Sequence, residues 1–234
     1  MSDGAPPPPS SAEEAAGDAA VSAPAPPVPL LKRAREDGGE AGEGEAAKVA
    51  RVGLAPVVGF YGHTPGKAFS EFSNFYWLTA PFAYELPGFA LRAGFSKTVS
   101  CHTSEKAIMV TKAAMMNDLD TFNKMLRIEK PTEIKALGRK VRNFDNKVWM
   151  ERLEEVAFET VRQKFEANPD LAESLLSTGS AVIAEATKND KIWGIGIDVG
   201  DPRVQRKEQW QGTNILGFAL MRARDHIRLL RQVR

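Results

Sequence analysis

Aromatic residues are absent from the first 59 residues of the chain and begin abruptly at Phe60. Two proline-rich runs at residues 6–9 and 24–29 hold 8 of the 15 prolines, interleaved with Ala, Gly, Ser and Glu. A segment of this composition cannot bury enough apolar surface to offset the entropy that it would lose on ordering. We therefore predict that residues 1–54 are a disordered tail and that residues 55–234 form a single folded domain.

The charges are divided unevenly between the two parts. Residues 1–59 carry 5 Lys and Arg against 9 Asp and Glu, whereas residues 60–234 carry 26 against 21, a net charge of +5. A mildly basic domain is compatible with a phosphate-bearing ligand. Within the tail, Lys32, Arg33 and Arg35 resemble a basic nuclear-import signal, although scattered charges of a solvated tail are the alternative. We expect an intracellular protein, located in the nucleus, the cytoplasm or both.

Several classes of protein are disfavoured by the sequence. Cys101 is the only cysteine, so neither an internal disulfide nor a multi-cysteine metal site can form. His63, His102 and His226 show no ligand spacing, which argues against a metal site. No apolar run approaches the length of a membrane span, and the N-terminus has no secretory pattern. We expect no metal, no cofactor and no membrane association.

Hydrophobic spacing predicts an α+β fold, a helix-rich domain with a small sheet. The predicted strands lie at residues 56–61, within residues 77–95 around a turn at residues 86–88, and at residues 181–186. Six helices are predicted. The first runs from Ser104 to Met116 with Thr103 as its cap, the second covers residues 119–126, and the third begins at Pro131. The fourth includes residues 148–165 and stops before Pro169, the fifth covers residues 170–177, and the sixth runs from about residue 213 to residue 230. No internal repeat of useful period is visible.

The helix that follows Thr103 carries two chemically useful side chains. Glu105 and Lys112 are seven residues apart, which at about 3.6 residues per turn returns them to nearly the same helix face. A carboxylate and an amine can thus face one cleft. Spacing alone leaves open the alternative that both are ordinary surface charges on an amphipathic helix.

A second candidate site is the sequence NDKIWGIGID. It combines Asp190 with Trp193 and with Gly194 and Gly196, which would let the backbone approach a ligand closely. These glycines do not open a helix, so the pattern differs from the dinucleotide-binding fingerprint. The alternative is a tight turn around a packed tryptophan.

The start of the last helix is a third candidate. Gly212 and Asn214 lie where free backbone N–H groups and the positive end of the helix dipole would favour a phosphate or a ribose hydroxyl, with simple capping as the alternative. Trp149 is similarly open, since a tryptophan packs in a core more often than it stacks on a base.

These features occur in an order that resembles the NADAR/YbiA-like family over nearly all of the predicted domain. The segments that carry the resemblance are Phe60 and Tyr61, the triplet Ser73, Asn74 and Phe75, TSEKAIMVTK from Thr103, VRNFDNKVW from Val141, KFEANPDLAESLLSTG from Lys164, EATKNDKIWGIGID from Glu185 and WQGTNILGFALMRAR from Trp210. Where many family members read SEHYFQAQKF, this chain has SEKAIMVTKA, so Lys106 replaces a histidine. Glu105 and Lys112 survive, and the departure suggests a substrate different from that of the bacterial riboflavin-pathway members.

The resemblance implies an N-glycosidase that breaks the bond between ribose C1 and a nitrogen. Some family members are associated with phosphorylated early riboflavin intermediates, and others with removing ADP-ribose from guanine bases in nucleic acid. The predicted catalytic residues are Glu105, Lys112 and Asp190, with Lys112 attacking C1 and either carboxylate acting as acid and base. The predicted ligand-binding residues are Ser73, Asn74, Phe75, Trp149, Trp193, Gly194, Gly196, Gly212 and Asn214.

Three functions follow from this resemblance. The domain could remove ADP-ribose from guanine in nucleic acid or nucleotides, hydrolyse ribosylamino-pyrimidine phosphates of the riboflavin pathway, or bind ADP-ribose without catalysis. The import-like basic run and the basic domain favour the first function. Retention of Glu105, Lys112 and Asp190 favours catalysis over a module that only binds.

Overall fold

The computed structural model describes residues 56–233. The predicted disordered tail at residues 1–54 and the basic run at residues 32–35 lie outside these described residues. The boundary predicted for the folded domain, residues 55–234, stays a prediction.

Four short strands and six α-helices form the regular structure of residues 56–233, together with short 3₁₀ turns. The strands are β1 (Val57–Phe60), β2 (Phe82–Glu85), β3 (Thr98–Cys101) and β4 (Val182–Glu185), and the helices are α1 (Ser104–Met115), α2 (Leu119–Met125), α3 (Pro131–Gly138), α4 (Asn146–Glu166), α5 (Pro169–Ser177) and α6 (Ile215–Gln232). The predicted α+β class and all six helices are confirmed. In the part of the chain that is described, no helix combines the length and the apolar character needed to cross a membrane.

The strands form two separate two-stranded sheets rather than one. β1 pairs with β4 in parallel, from Val57 opposite Val182 to Phe60 opposite Glu185. β2 pairs with β3 in antiparallel fashion. Strand β3 was not predicted, because only two of its four side chains, Val99 and Cys101, are buried, and so short an alternation is a weak signal.

Local sequence determines where the helices begin. The Thr103 hydroxyl accepts a hydrogen bond from the Lys106 N–H at 3.3 Å, and the Asp145 carboxylate accepts from two N–H groups at the start of α4. Proline is the first residue of α3 and of α5, where its missing N–H has no helical partner to lose. The Thr103 cap fixes the start of α1 at Ser104, one residue before Glu105.

The core consists of two clusters of buried side chains. The larger joins β2 and β3 to α1, α4 and α6, and the smaller lies against β1 and β4, with Val57, Val182, Ile195 and Val204 among its members. Helix α1 packs against α2, α3 and α4, and α6 packs against both α4 and β4. Helix α1 is thus held from several sides, so the side chains of its first turn have little freedom to move.

Helix α6 approaches β4 so closely that Gly217 has no room for a side chain. A Cβ atom there would lie 2.2 Å from the carbonyl oxygen of Ile183 and 2.4 Å from Nδ2 of Asn214. Both neighbours are held in place, because Asn214 Nδ2 donates to that carbonyl at 2.9 Å and Asn214 Oδ1 accepts from the Glu185 N–H at 3.1 Å.

We expect Gly217→Ala to lower the free energy of unfolding by about 1–3 kcal/mol or more, since backbone or a buried amide must move. Chemical denaturation measures this change. Gly88→Ala is the matched control, because nothing lies within 4 Å of a Cβ at that glycine, and its effect should stay within about 0.5 kcal/mol. Equal losses in the two variants would contradict the packing argument.

Candidate active site

The first turn of α1 buries a carboxyl group. Glu105 is 5% exposed, and its backbone N–H donates to the carbonyl of Asn74 at 2.9 Å, which joins the helix to the turn at residues 73–75. Among the described residues, Glu105 Oε1 has no hydrogen-bond partner although it is buried. A buried carboxyl oxygen without a partner is costly, and ligand-binding sites are a common place for one.

The charges around Glu105 come from three segments of the chain. Burial is the largest cause of the shift that raises the pKa of Glu105 to about 7; the positive charge of Lys135 opposes it, the negative charge of Asp190 adds to it, and Lys112 and Arg139 oppose it. A carboxyl group with this pKa exists in both protonated and ionised forms near neutral pH, as an acid and base must.

Lys112 lies on the same helix and acts on the Glu105 carboxyl, as the seven-residue spacing predicts. Its amine is 4.2 Å from the centroid of the Phe144 ring and 5.6 Å from that of Trp149. Phe144 is 42% exposed, whereas Trp149 is only 8% exposed and belongs to the core. Both rings thus lie beside the amine of Lys112, the candidate nucleophile.

A buried lysine, Lys164, holds the turn at residues 73–75 by hydrogen bonds to backbone carbonyls. The Lys164 amine, on a residue that is 1% exposed, donates to the carbonyls of Glu71 at 2.7 Å and Ser73 at 3.1 Å. Burial lowers the pKa of Lys164 to about 7, with the charge of Glu71 opposing. Asn74 is 8% exposed, and its Oδ1 is a second buried acceptor without a partner among residues 56–233.

The Phe75 ring of the triplet lies close to a lysine of α3. The Lys135 amine is 5.5 Å from the centroid of this ring, and the His63 ring centroid is 5.8 Å away. Since Lys135 also acts on Glu105, Phe75 borders the same group of charges.

Asp190 shapes the loop that follows β4. Its Oδ1 accepts hydrogen bonds from the N–H groups of Ile192 at 2.9 Å and Trp193 at 2.8 Å. Trp193 is half-buried and packs against the larger core cluster. The carboxylate is therefore fixed by the loop, while its charge reaches Glu105.

The glycines of this region serve close packing within the protein. A Cβ at Gly194 would lie 2.7 Å from the carbonyl oxygen of Glu185, and one at Gly212 would lie 2.3 Å from that of Gly194. At Gly196, whose φ is +69°, the neighbours are Gln211 and Lys191. The nearest neighbours of these glycines are thus the protein's own atoms, and the role of Gly194 and Gly196 in ligand binding stays a prediction.

The start of α6 is also occupied by the protein. The N–H groups of Thr213, Asn214, Ile215 and Leu216 donate to the carbonyls of residues 191–194 at 2.9 to 3.2 Å. Asn214 is fully buried. The prediction of free N–H groups at this helix terminus was therefore wrong, and the roles of Gly212 and Asn214 in ligand binding stay predictions.

Some of the predicted site residues lie together around Glu105, and others lie outside this group. Lys112 and Asp190 act on Glu105, with Asn74, Phe75 and Trp149 close by, whereas Gly196, Gly212 and Asn214 pack within the loop and the start of α6. Within residues 56–233, no group of His, Cys, Asp and Glu side chains is arranged to hold a metal ion. The catalytic and binding roles themselves stay predictions.

The family follows from comparison with known proteins. The model of the NADAR domain matches residues 59–228, which run from β1 into α6 and include every helix and strand between these two. The chain belongs to the NADAR domain family. The membership that the sequence motifs predicted is therefore confirmed.

Relatives of this NADAR domain include proteins named as N-glycosidases. The chain is 39% identical over 123 residues to N-glycosidase R617 of Acanthamoeba polyphaga mimivirus, over 53% of this chain and 72% of the viral protein. It is 31% identical over 101 residues to N-glycosidase YbiA of Escherichia coli, over 43% of this chain and 56% of YbiA. The NMR structure of the E. coli protein YbiA has a TM-score of 0.58 and 25% identity, and covers 79% of this chain and 92% of that chain.

Three charged residues of this NADAR domain were missed in the sequence. Glu185 ends β4, and burial, followed by the charge of Asp190, raises its pKa to about 8. Lys135 and Arg139 come from α3 and the residue after it, and both act on Glu105. A carboxylate at the end of the apolar run AVIAEA was a detectable signal for Glu185. Nothing in the local spacing marks Lys135 or Arg139.

The position where many NADAR sequences carry a histidine has a different role in this chain. Lys106 is 1% exposed, and its amine donates to Glu129 Oε1 at 2.5 Å. This ion pair ties α1 to the segment before α3. Lys106 therefore serves the packing of the helix on which Glu105 lies.

We expect Trp193→Ala to weaken the binding of ADP-ribose by about tenfold or more, or about 1.4 kcal/mol, because Trp193 borders Asp190 at the edge of the charged site. Calorimetric titration measures the affinity, and thermal melting measures stability.

Trp210→Ala is the matched control, since Trp210 is also half-buried but packs on the smaller cluster, with its indole N–H donating to the Val204 carbonyl. It should lose stability while keeping affinity. A Trp193→Ala protein with unchanged affinity and a large drop in melting temperature would show that this residue serves the core alone.

Proposed function

We propose that this NADAR domain is an N-glycosidase that hydrolyses the bond between ribose C1 and a nitrogen, and that it removes ADP-ribose from guanine in nucleic acid or nucleotides. The observation that carries the proposal is the buried Glu105 carboxyl, with a pKa near 7, placed among the charges of Lys135, Asp190 and Lys112. Relatives named as N-glycosidases support the reaction class.

Cleavage of a ribose C1–N bond makes three demands. The transition state resembles an oxocarbenium ion, so positive charge at C1 must be stabilised, the leaving nitrogen needs a proton, and C1 needs a nucleophile. Asp190 and an ionised Glu105 supply negative charge, a protonated carboxyl group supplies the proton, and the Lys112 amine supplies the nucleophile.

In the proposed mechanism, neutral Lys112 forms a bond to C1 as the C1–N bond to the leaving group breaks. The electron pair of the broken bond stays on the leaving nitrogen, and this nitrogen takes a proton from a carboxylic acid. The carboxylate then removes one proton from the lysine nitrogen and passes it to the ring oxygen as the ring opens to an imine. Water adds to C1, the bond from C1 to the lysine nitrogen breaks, and the sugar and the free amine are released.

The environment of Lys112 also favours a second mechanism. A ring face at 4.2 Å attracts the protonated amine, and a charged lysine is not a nucleophile. In that case Lys112 binds a phosphate or the leaving group, and Glu105 activates water for direct attack on C1. Trapping of a covalent adduct separates the two mechanisms.

Substrate choice is supported by charge and by one further relative. Lys135 and Arg139 place positive charge beside Glu105, where phosphates of an ADP-ribosyl group or of nucleic acid would be attracted. The second candidate substrate is a ribosylamino-pyrimidine phosphate. It is supported by the similarity of this chain to the riboflavin biosynthesis protein VVA0006 of Vibrio vulnificus. The two proteins are 30% identical over 116 residues, which cover only 29% of the Vibrio protein.

One assay tests the function. The full chain is incubated with an oligonucleotide carrying ADP-ribose on guanine and, in parallel, with the ribosylamino-pyrimidine phosphate, and the released sugar is measured by mass spectrometry. We expect release of ADP-ribose from the oligonucleotide. Release of ribose phosphate alone would favour the riboflavin intermediate, and binding of ADP-ribose without turnover of either substrate would favour the non-catalytic module.

A further inference from the structure

Strand β4 ends on an acid that its structural surroundings do not explain. The first three side chains of the strand are buried and apolar, and the fourth is Glu185. Its Oε2 is buried without a hydrogen-bond partner among the described residues. Burial of an ionised carboxylate without a partner costs several kcal/mol, so a glutamine or an apolar residue would suit the strand better. A structural role alone does not account for an acid at this position.

Glu185 lies at the carboxyl end of a strand pair. Parallel strands β1 and β4 end together, with Phe60 opposite Glu185. The backbone of Glu185 is fixed, because its N–H donates to Asn214 Oδ1 at 3.1 Å and its carbonyl accepts from the Ile195 N–H at 2.9 Å. The side chain therefore starts from a rigid point.

Glu185 and Glu105 have two charged neighbours in common. The pKa of Glu185 is raised to about 8; burial is the largest cause, the charge of Asp190 adds to the rise, that of Lys135 opposes it, and that of Glu105 adds to it. Asp190 and Lys135 also act on Glu105, together with Lys112 and Arg139. The two carboxyl groups each have a buried oxygen that lacks a partner among the described residues, and Lys135 and Asp190 act on both of them, so we assign them to one site.

We propose that Glu185 is the proton donor for the leaving nitrogen, and that Glu105 and Glu185 hold a single proton between them at neutral pH. Two carboxylates in one buried site repel each other, so the second ionises with difficulty. As the C1–N bond breaks, its electron pair goes to the leaving nitrogen, the proton of Glu185 moves to that nitrogen, and Glu185 becomes the carboxylate. Glu105 remains ionised and faces the positive charge at C1. This inference rests on the proposed N-glycosidase function.

The test is Glu185→Gln, which keeps the shape of the side chain and removes the acid. With the substrate that the wild-type protein cleaves, we expect kcat to fall by about 100-fold or more while KM changes by about threefold or less. The kcat of the wild-type protein should decline as pH rises through about 8, and the residual rate of the variant should not. Glu85→Gln is the matched control, since Glu85 also ends a four-residue strand but is exposed, and it should keep normal kcat.

A second measurement separates this inference from the proposed function. Borohydride reduction with free ADP-ribose involves the Lys112 amine but no leaving nitrogen, so Glu185→Gln should still give the adduct on the Lys112 peptide, and Lys112→Arg should not. A wild-type protein without turnover would overturn the proposed function and this inference with it. If the wild type turns over and Glu185→Gln keeps kcat within about threefold, or shows a raised KM with normal kcat, only the assignment of Glu185 fails.

Discussion

Lys112→Arg is expected to lower turnover by about 1,000-fold or more and to abolish the adduct that borohydride traps from the substrate. Arginine keeps the positive charge, but its guanidinium group does not lose a proton in proteins and cannot attack C1. It can still stack on the Phe144 ring, which lies 4.2 Å from the lysine amine. Mass spectrometry of the reduced protein should place the sugar on the wild-type peptide that contains Lys112.

Lys140→Arg is the control for this variant, since Lys140 is exposed and lies just after α3. It should leave turnover and adduct unchanged. Near-normal turnover in Lys112→Arg would rule out the covalent route, and direct attack by water that Glu105 activates would then be the better mechanism.

The helices were predictable because their signals are local. In α1, the cap at Thr103 and the apolar spacing that follows lie within a dozen residues of one another, Pro131 marks a helix start by its own geometry, and Pro169 marks the predicted stop of the helix before it. The pairing of β1 with β4 joins residues about 125 apart in the chain, and no local pattern specifies such a partner. A small sheet was therefore predicted, but its division into two separate two-stranded sheets was not.

The same distinction applies to the site. Glu105 and Lys112 were found because a helix relates residues seven apart by simple geometry. Lys135 and Glu185 reach Glu105 only through the packing of α3 and of β4, at separations of 30 and 80 residues. The N–H groups of α6 were misjudged for the related reason that their acceptors, carbonyls of residues 191–194, lie in a preceding loop whose path depends on the whole fold.

Glu105→Gln is expected to remove activity while making the protein more stable above neutral pH. Turnover should fall by about 100-fold or more, because the amide has no negative charge to stabilise C1 and cannot accept a proton. The pKa of Glu105 is about 7 in the folded protein, against an ordinary value of 4.5. The folded state therefore binds more protons than the unfolded state between these values, and the contribution of Glu105 to stability declines as pH rises through this window.

A glutamine has no such proton to lose, so the melting temperature of Glu105→Gln relative to wild type should rise from pH 5 to pH 8. Loss of the carboxylate from the first helical turn opposes this gain by about 0.3–1 kcal/mol, and removal of a partner for Lys135 and Lys112 opposes it further. We expect burial to prevail, because it is the largest cause of the pKa shift.

Glu133→Gln is the matched control, an exposed acid in the first turn of α3. It should keep normal turnover, and its melting temperature relative to wild type should not change between pH 5 and pH 8. The contradicting result would be a Glu105→Gln protein that is inactive but less stable than wild type at pH 8. It would show that the surrounding lysines and arginine, rather than burial, determine the free energy of this carboxyl group. Glu105 would then stabilise the fold as well as take part in the reaction.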